Sequence, residues 1–404
     1  MVTSTLGVED LVAARARIAD AIGDSPCPRS LSLSERYGCR LHLKLENLQP
    51  TGSFKGRGAL NCLLMLPPEE RARGVSAASA GNHAQGIAYH ARSLGIAARV
   101  VMPLGTPLAK VSATRRFGAE VVLHGSNYDE AYLHARELSD QDGRVLIHAF
   151  DDARVIAGQG SVGLELLEQV PDVQDVIVPV GGGGLIGGVG LAIKERRPDV
   201  RLIGVQSAAL PSMRESLAAG AIQALPPAVT IADGIAVKRP GELTFPLVQR
   251  YVDELVTVDD EDVATAIMLL LEREKTLAEG AGAVGLAAIH AGVVDVQGRK
   301  AALVISGGNI DMTFLSRVIE RGLVQDGRLI QLNVRMTDQP GCLAALTKVL
   351  GELRVNVLQI EHNRAFRHVN LGLTEVELAL ETRGQEHVEE LRRVLAERGY
   401  EVHD

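Results

Sequence analysis

From about Leu41 to Phe314, short apolar runs alternate with amphipathic segments along the chain. The apolar runs are Leu41–Leu45, Val75–Ala78, Ala98–Met102, Glu120–Leu123, Val145–His148, Val176–Val180, Leu202–Gln206, Leu255–Val258 and Ala301–Ile305. They are rich in Val, Ile and Leu without clean polar alternation, the pattern of strands buried on both faces. Segments such as Asp129–Ser139, Gly160–Glu168 and Glu261–Glu274 carry helical periodicity between them, and Val8–Ala21 reads as a leading helix. Strand–helix alternation predicts an α/β fold with a mostly parallel sheet and right-handed crossovers. In such sheets ligands bind beyond the carboxyl ends of the strands. Three loops fall there: Ser79-Ala80-Gly81-Asn82-His83, Gly181-Gly182-Gly183-Gly184-Leu185 and Ser306-Gly307-Gly308-Asn309.

The pattern changes near Gln325-Asp326-Gly327. Partial alternation over Leu329–Arg335 precedes a helical stretch Leu343–Arg354. Strand-like runs follow at Val357–His362 and Leu373–Leu380, then a helix near Glu386–Arg398 and a short strand at Tyr400–Val402. This β-α-β-β-α-β order predicts a split βαβ sandwich, with a domain boundary near residue 326.

Composition narrows the function classes. The 404 residues are 46% hydrophobic and 23% charged, with a net charge of -8, 3% aromatics and no Trp. An acidic, aromatic-poor chain argues against nucleic-acid or anionic-membrane binding. No apolar stretch reaches the ~18 residues of a membrane span, and no secretory signal is expected from Met1–Gly7. The scattered Cys27, Cys39, Cys62 and Cys342 form no C-x-x-C pair, which predicts reduced thiols in a cytoplasmic protein. No metal site is expected. His83 and His90 stand seven apart with no carboxylate pattern, and Asp151-Asp152 and Asp259–Asp262 read as helix N-terminal charges.

Lys55 stands in Ser53-Phe54-Lys55-Gly56-Arg57-Gly58-Ala59, among small residues beside an aromatic ring. Alone it would be unremarkable. A catalytic amine must be neutral to attack a carbonyl, against a reference pKa near ~10.4. Burial and cationic neighbours lower that value, and Arg57 is expected to contribute. The glycines after the strand Val176–Val180 let N–H groups converge at a helix start, a phosphate cradle. Gly182, Gly184 and Gly187 also satisfy G-x-G-x-x-G. A dinucleotide site, however, expects an acidic residue after the next strand, where Gln206-Ser207 stand. Lysine, amide loop and phosphate cradle together point to pyridoxal phosphate held as a Schiff base. Asn82 could meet its phenolic oxygen and Ser306 its pyridine nitrogen. Ser79, Gly81 and His83 offer donors for a substrate carboxylate.

These motifs, with Ala84-Gln85-Gly86, Val155–Gly160 and Thr230–Gly234, resemble threonine ammonia-lyase (threonine dehydratase), of the tryptophan-synthase-β-like class of pyridoxal-phosphate enzymes, over roughly residues 5 to 322. The resemblance implies a catalytic domain over 1–325, with a smaller subdomain of about 50–150 inserted in the larger one. It implies Lys55 as Schiff-base lysine and Cα base. Phe54, Asn82, Gly181–Leu185 and Ser306 would contact cofactor, and Ser79, Ala80, Gly81, His83 and Phe150 would contact substrate. The implied reaction is dehydration and deamination of L-threonine to 2-oxobutanoate and ammonia, with L-serine giving pyruvate more weakly. The cofactor phosphate is the implied acid for the departing hydroxyl.

The related serine racemase resembles this chain but has a serine at the position of Ala80, carboxylates near Gln206 and Ser212, and an amide at Phe150. A serine-preferring enzyme, a racemase and a non-catalytic amino-acid-binding regulator are the alternatives. The tail, 326–404, resembles one ACT domain, with Asp338-Gln339-Pro340-Gly341 at its first turn. That implies an amino-acid effector and pairing across subunits in a homo-oligomer, dimer or tetramer. Isoleucine biosynthesis and threonine breakdown remain the two candidate settings.

Overall fold

The structure, a computed structural model, describes residues 6–362 and 372–403. The chain divides into two compact units, Met1–Asp311 and Met312–Asp404.

The first unit holds two wholly parallel sheets. Five strands, β1 (Arg40–Leu45), β6 (Asp175–Pro179), β7 (Arg201–Ser207), β8 (Glu254–Val258) and β9 (Lys300–Ile305), lie in the order β1-β9-β6-β7-β8. Four more, β2 (Val75–Ala78), β3 (Ala98–Met102), β4 (Glu120–Leu123) and β5 (Val145–Leu146), lie in the order β4-β3-β2-β5. The chain leaves the larger sheet after β1, builds the smaller one, and returns through the helix Ala153–Gln169 to β6. Every residue of β2 and β6 is buried. That is why their sequences do not alternate; Val75, Ala77, Ala78 and Val176–Pro179 are apolar, and the polar Ser76 and Asp175 are buried with them.

The expected strand Val145–His148 is shorter, because the His148 Nδ1 accepts the N–H groups of Phe150 (3.3 Å) and Asp151 (2.8 Å) and turns the chain. The helix expected at Gly160–Glu168 begins earlier, at Ala153, where the Asp152 carboxylate caps it by accepting from the Arg154 N–H. Asp259 caps the helix Asp260–Glu274 in the same way, accepting from the Asp262 N–H. The helix Lys55–Met65 packs against Ala153–Gln169 so closely that a Cβ on Gly158 would stand 2.6 Å from the Cα of Gly58.

The second unit begins with the helix Met312–Gln325, N-terminal to the boundary expected at residue 326. Four strands follow, β10 (Leu329–Thr337), β11 (Asn356–His362), β12 (Leu373–Glu381) and β13 (Glu401–His403), in the antiparallel order β11-β12-β10-β13. With the helices Cys342–Glu352 and Gln385–Glu397 this is the β-α-β-β-α-β order read from the sequence. Side chains alternate in burial along β12, and Leu332, Val334, Leu350, Leu378 and Leu391 form the core between sheet and helices. Among the described residues no helix is long and apolar enough to cross a membrane.

Candidate active site

Adjacency of β1 and β9 in the larger sheet decides where Lys55 goes. The loop after β1 and the loop after β9 run side by side. The Phe54 N–H donates to the Ser306 carbonyl (3.1 Å), the Gly308 N–H donates to the Gly52 carbonyl (2.9 Å), and Ser53 bridges Gly307. Lys55 opens its helix at the mouth thus formed, next to β6 and its glycine loop.

A cavity of about 690 Å³ lies beyond these strand ends, within the range typical of small-molecule sites. All the residues singled out from the sequence line it: Phe54, Lys55, Ser79, Ala80, Gly81, Asn82, His83, Phe150, Gly181–Gly184, Leu185 and Ser306. The Lys55 Nζ donates to the Ala149 carbonyl (2.8 Å) and stands 5.1 Å from the centre of the Phe54 ring. Burial pushes its amine down to about 8, against the opposing pull of the Glu279 carboxylate. Arg57, expected to help lower it, does not. Its charge is neutralised by Glu46 and Glu165 in a buried network behind the helix, so desolvation alone carries the shift.

Gly183 has φ +95°, a conformation that favours glycine. A Cβ on Gly182 would lie 2.4 Å from ring carbons of Phe150, and one on Gly184 3.0 Å from the Phe150 carbonyl. The loop is thereby pressed against protein on one side. Thr244 clamps it there, its hydroxyl donating to the Gly182 carbonyl. The Val180 N–H is taken by Val205 of β7, and the next backbone N–H to find a backbone carbonyl is that of Gly187, on Gly183. The intervening N–H groups have no backbone acceptor among the described residues, as at a free helix N-terminus. Unpaired N–H groups at the start of Gly184–Lys194 fit a phosphate. Ser306, 2% exposed, brings a hydroxyl to the same cavity.

His83 differs from its expectation. Its Nε2 donates to the Ile147 carbonyl (3.2 Å), and burial pushes the ring down to about 3. A neutral imidazole with Nε2–H committed has no N–H left for a carboxylate, and its buried Nδ1 has no partner among the described residues. Ser79 and the backbone of Gly81 keep their places in the wall.

Four contributors escaped the sequence reading. Glu279 and Asn309 flank Asn82. Its amide NH₂ donates to the Glu279 Oε1 (2.6 Å) and its oxygen accepts from the Asn309 amide (2.8 Å). Lys110 and Asp233 pair at 2.6 Å across the cavity wall, one from the smaller-sheet side and one from the larger. Asn309 belonged to a motif already noted. Asp233 also fell in a noted run, Thr230–Gly234, without a role of its own; Glu279 and Lys110 stand alone in sequence, and only the topology brings them in.

Residues 18–307 match the family model described as pyridoxal-phosphate dependent enzyme, and residues 330–399 match the ACT domain. This chain belongs to the family of pyridoxal-phosphate-dependent enzymes. Within that family it is 50% identical over 395 residues to L-threonine ammonia-lyase of Thermotoga maritima, covering 98% of each chain. Among solved structures, the threonine deaminase of T.th. is 43% identical with a TM-score of 0.72, over 76% of this chain and 99% of its own. Maize serine racemase is 35% identical with a TM-score of 0.74, over 80% and 99%. The family resemblance read from the motifs is met.

Proposed function

We propose that this protein releases ammonia from L-threonine, forming 2-oxobutanoate, with pyridoxal phosphate in the cavity at Lys55. The observation that carries this reading is half identity, over almost the whole length, to a threonine ammonia-lyase. Convergence of Lys55, the glycine loop and Ser306 on one cavity supports it. When bound, the cofactor supplies an electron sink that acidifies the substrate Cα–H. The chain's own residues do the rest. The N–H groups of Gly181–Leu185 and Ser306 hold and orient the cofactor, with Phe54 and Asn82 beside it. The Ser79 hydroxyl, whose oxygen accepts from the Gly81 N–H (3.2 Å), receives the substrate carboxylate beside Gly81, and Phe150 faces the methyl group of threonine. The Lys55 amine, pushed down to about 8 by burial, removes the Cα proton in its neutral form. The Cα–H electron pair becomes the Cα–Cβ double bond as the β-hydroxyl leaves with a proton as water, and hydrolysis of the released enamine gives 2-oxobutanoate and ammonia.

Serine racemisation is disfavoured at Ala80. Its methyl group cannot return a proton. The second unit is read as an amino-acid sensor. The T.th. deaminase is matched over 99% of its own length by 76% of this chain.

The direct test is incubation of cofactor-loaded protein with L-threonine and, separately, L-serine. Stoichiometric 2-oxobutanoate and ammonia from threonine, faster than pyruvate from serine, is expected. D-Serine formed from L-serine, with threonine untouched, would transfer the chain to the racemase reading.

The glycine cradle makes a separate prediction. Gly182→Ala places a methyl group inside the Phe150 ring. Cofactor affinity should fall by about 10–100-fold, as overpacking costs of this size imply. The double variant Gly182→Ala/Phe150→Ala should recover part of it. Absorbance titration of the apo-protein reads both.

A further inference from the structure

Glu279 has a place in this site that neither the motifs nor the family match assigns. It is 6% exposed, caps no helix through its side chain, and lines the cavity beside Lys55. Its backbone is locked to the loop after β9 by its own N–H, which donates to the Gly307 carbonyl (3.0 Å). Its carboxyl group lies so close to that loop that a Cβ on Gly307 would stand 2.4 Å from the Oε1. A buried carboxyl group fixed this tightly next to a lysine needs a reason, because burying it opposes its charge.

The reason lies in Asn82. A primary amide has a donor end and an acceptor end of nearly the same shape, and nothing intrinsic prevents it from turning over. Here both ends are committed. The Asn309 amide donates to the Asn82 oxygen (2.8 Å) and also to the Thr51 carbonyl (2.8 Å), which fixes Asn309 itself. The Asn82 nitrogen donates to Glu279 (2.6 Å). A relay runs from the Thr51 carbonyl through Asn309 and Asn82 to Glu279, and it permits one orientation only. One N–H of Asn82 is left over.

We infer that Glu279 is a positioning residue that, with Asn309, holds the Asn82 amide with its donor end available to the cofactor. This rests on the placement of Asn82 beside the cofactor proposed above. The charged groups facing Glu279 are Asp233 from the short 3-10 turn Asp233–Ile235, Lys110 from the helix Leu108–Arg116 and Lys55 from its own helix. Burial first, then Asp233, push the carboxyl group up to about 7. The Asn82 amide, Lys110 and Lys55 pull the other way. A carboxylate accepts from the Asn82 N–H without competition. A protonated carboxyl group can instead donate to an amide oxygen, so acidification through neutrality loosens the constraint on Asn82.

The test is a double-mutant cycle on cofactor affinity, using full-length apo-protein and pyridoxal phosphate, with the absorbance of the bound cofactor followed against pH. Asn82→Ala and Glu279→Ala should each weaken binding, by roughly tenfold for a lost hydrogen bond to a charged group. Together they should weaken it no further than Asn82→Ala alone. Glu279→Gln, whose side-chain oxygen can still accept from Asn82, should restore affinity to within about threefold of the parent. It should also remove a change in the cofactor absorbance centred near neutral pH. Additive losses in the double variant, or an unchanged absorbance profile in Glu279→Gln, would overturn the assignment. Asn82→Ala binding cofactor as the parent does would overturn the role of Asn82 as well, which separates the two failures.

Discussion

Lys55→Ala should abolish ammonia release from L-threonine, by ~10⁴-fold or more, the upper range for removing a positioned acid–base group, and leave the protein folded. Among the described residues the side chain makes one hydrogen bond, to the Ala149 carbonyl. Its charged form is disfavoured there, which is why its amine is pushed down to about 8. For a base whose folded-state pKa lies below its unfolded value, the burden on stability is full below the folded pKa and fades as pH rises towards the unfolded one. Lys55→Ala should therefore melt at the same or a higher temperature than the parent below about pH 8, with the difference shrinking at higher pH. The same shift governs the amine as a nucleophile. Capture of pyridoxal phosphate by the apo-protein, followed by rapid-mixing absorbance, should accelerate as pH rises to about 8 and then level. Near-parental turnover by Lys55→Ala would remove the residue from the chemistry.

The largest effect on stability is expected two residues further on. Arg57 is 1% exposed, and each of its nitrogens has an acceptor. Nε and Nη2 donate to the two oxygens of Glu46, both at 2.8 Å, Nη2 also reaches the Glu165 Oε2 (2.8 Å), and Nη1 donates to Ser161 (3.0 Å) and to the Glu165 Oε1. Lys44, 0% exposed, completes the set, with Nζ on Glu165 (2.6 Å), Gln169 (2.9 Å) and the Ser25 carbonyl (2.8 Å). Two cations balance two anions in direct contact. Burial opposes the charge of Arg57, but Glu46 and Glu165 outweigh it and raise its pKa. Burial of Glu46 is likewise outweighed by Arg57, which lowers it. Arg57→Met would leave one buried carboxylate unmatched, at a cost of about 3–5 kcal/mol. Arg57→Lys keeps the charge but brings three donors to a five-donor site, so it should fall between. Chemical denaturation of the apo-protein reads both. A loss under about 1 kcal/mol for Arg57→Met would show that the network is not a cooperative buried unit.

The parts of this molecule that the sequence disclosed are those whose physics is local. Strands buried on both faces are written as mostly apolar runs without polar alternation, so β2, β6 and β9 could be placed within a residue or two. The glycine loop is legible because backbone convergence at a helix start excludes side chains whatever lies elsewhere. The Lys55 and Asn82 loops were legible by their resemblance to one family and by their shared position past strand ends. What escaped depends on contacts between distant positions. Glu279 sits in Ala278-Glu279-Gly280-Ala281, with nothing beside it to suggest a partner 197 positions away. Arg57 looked like a neighbour of Lys55, whereas its guanidinium group is turned onto Glu46 and Glu165. His83 looked like a donor, but its only N–H is held by the Ile147 carbonyl, a partner visible only once β5 lies beside β2.

Turnover requires a covalent bond between the cofactor and the Lys55 amine. Cofactor-loaded protein, reduced with borohydride and digested, should carry one pyridoxal phosphate on the peptide containing Phe54-Lys55 and none on peptides containing Lys44, Lys110 or Lys238. Protein that forms 2-oxobutanoate from threonine yet yields no adduct at Lys55, or carries it on another lysine, would contradict it.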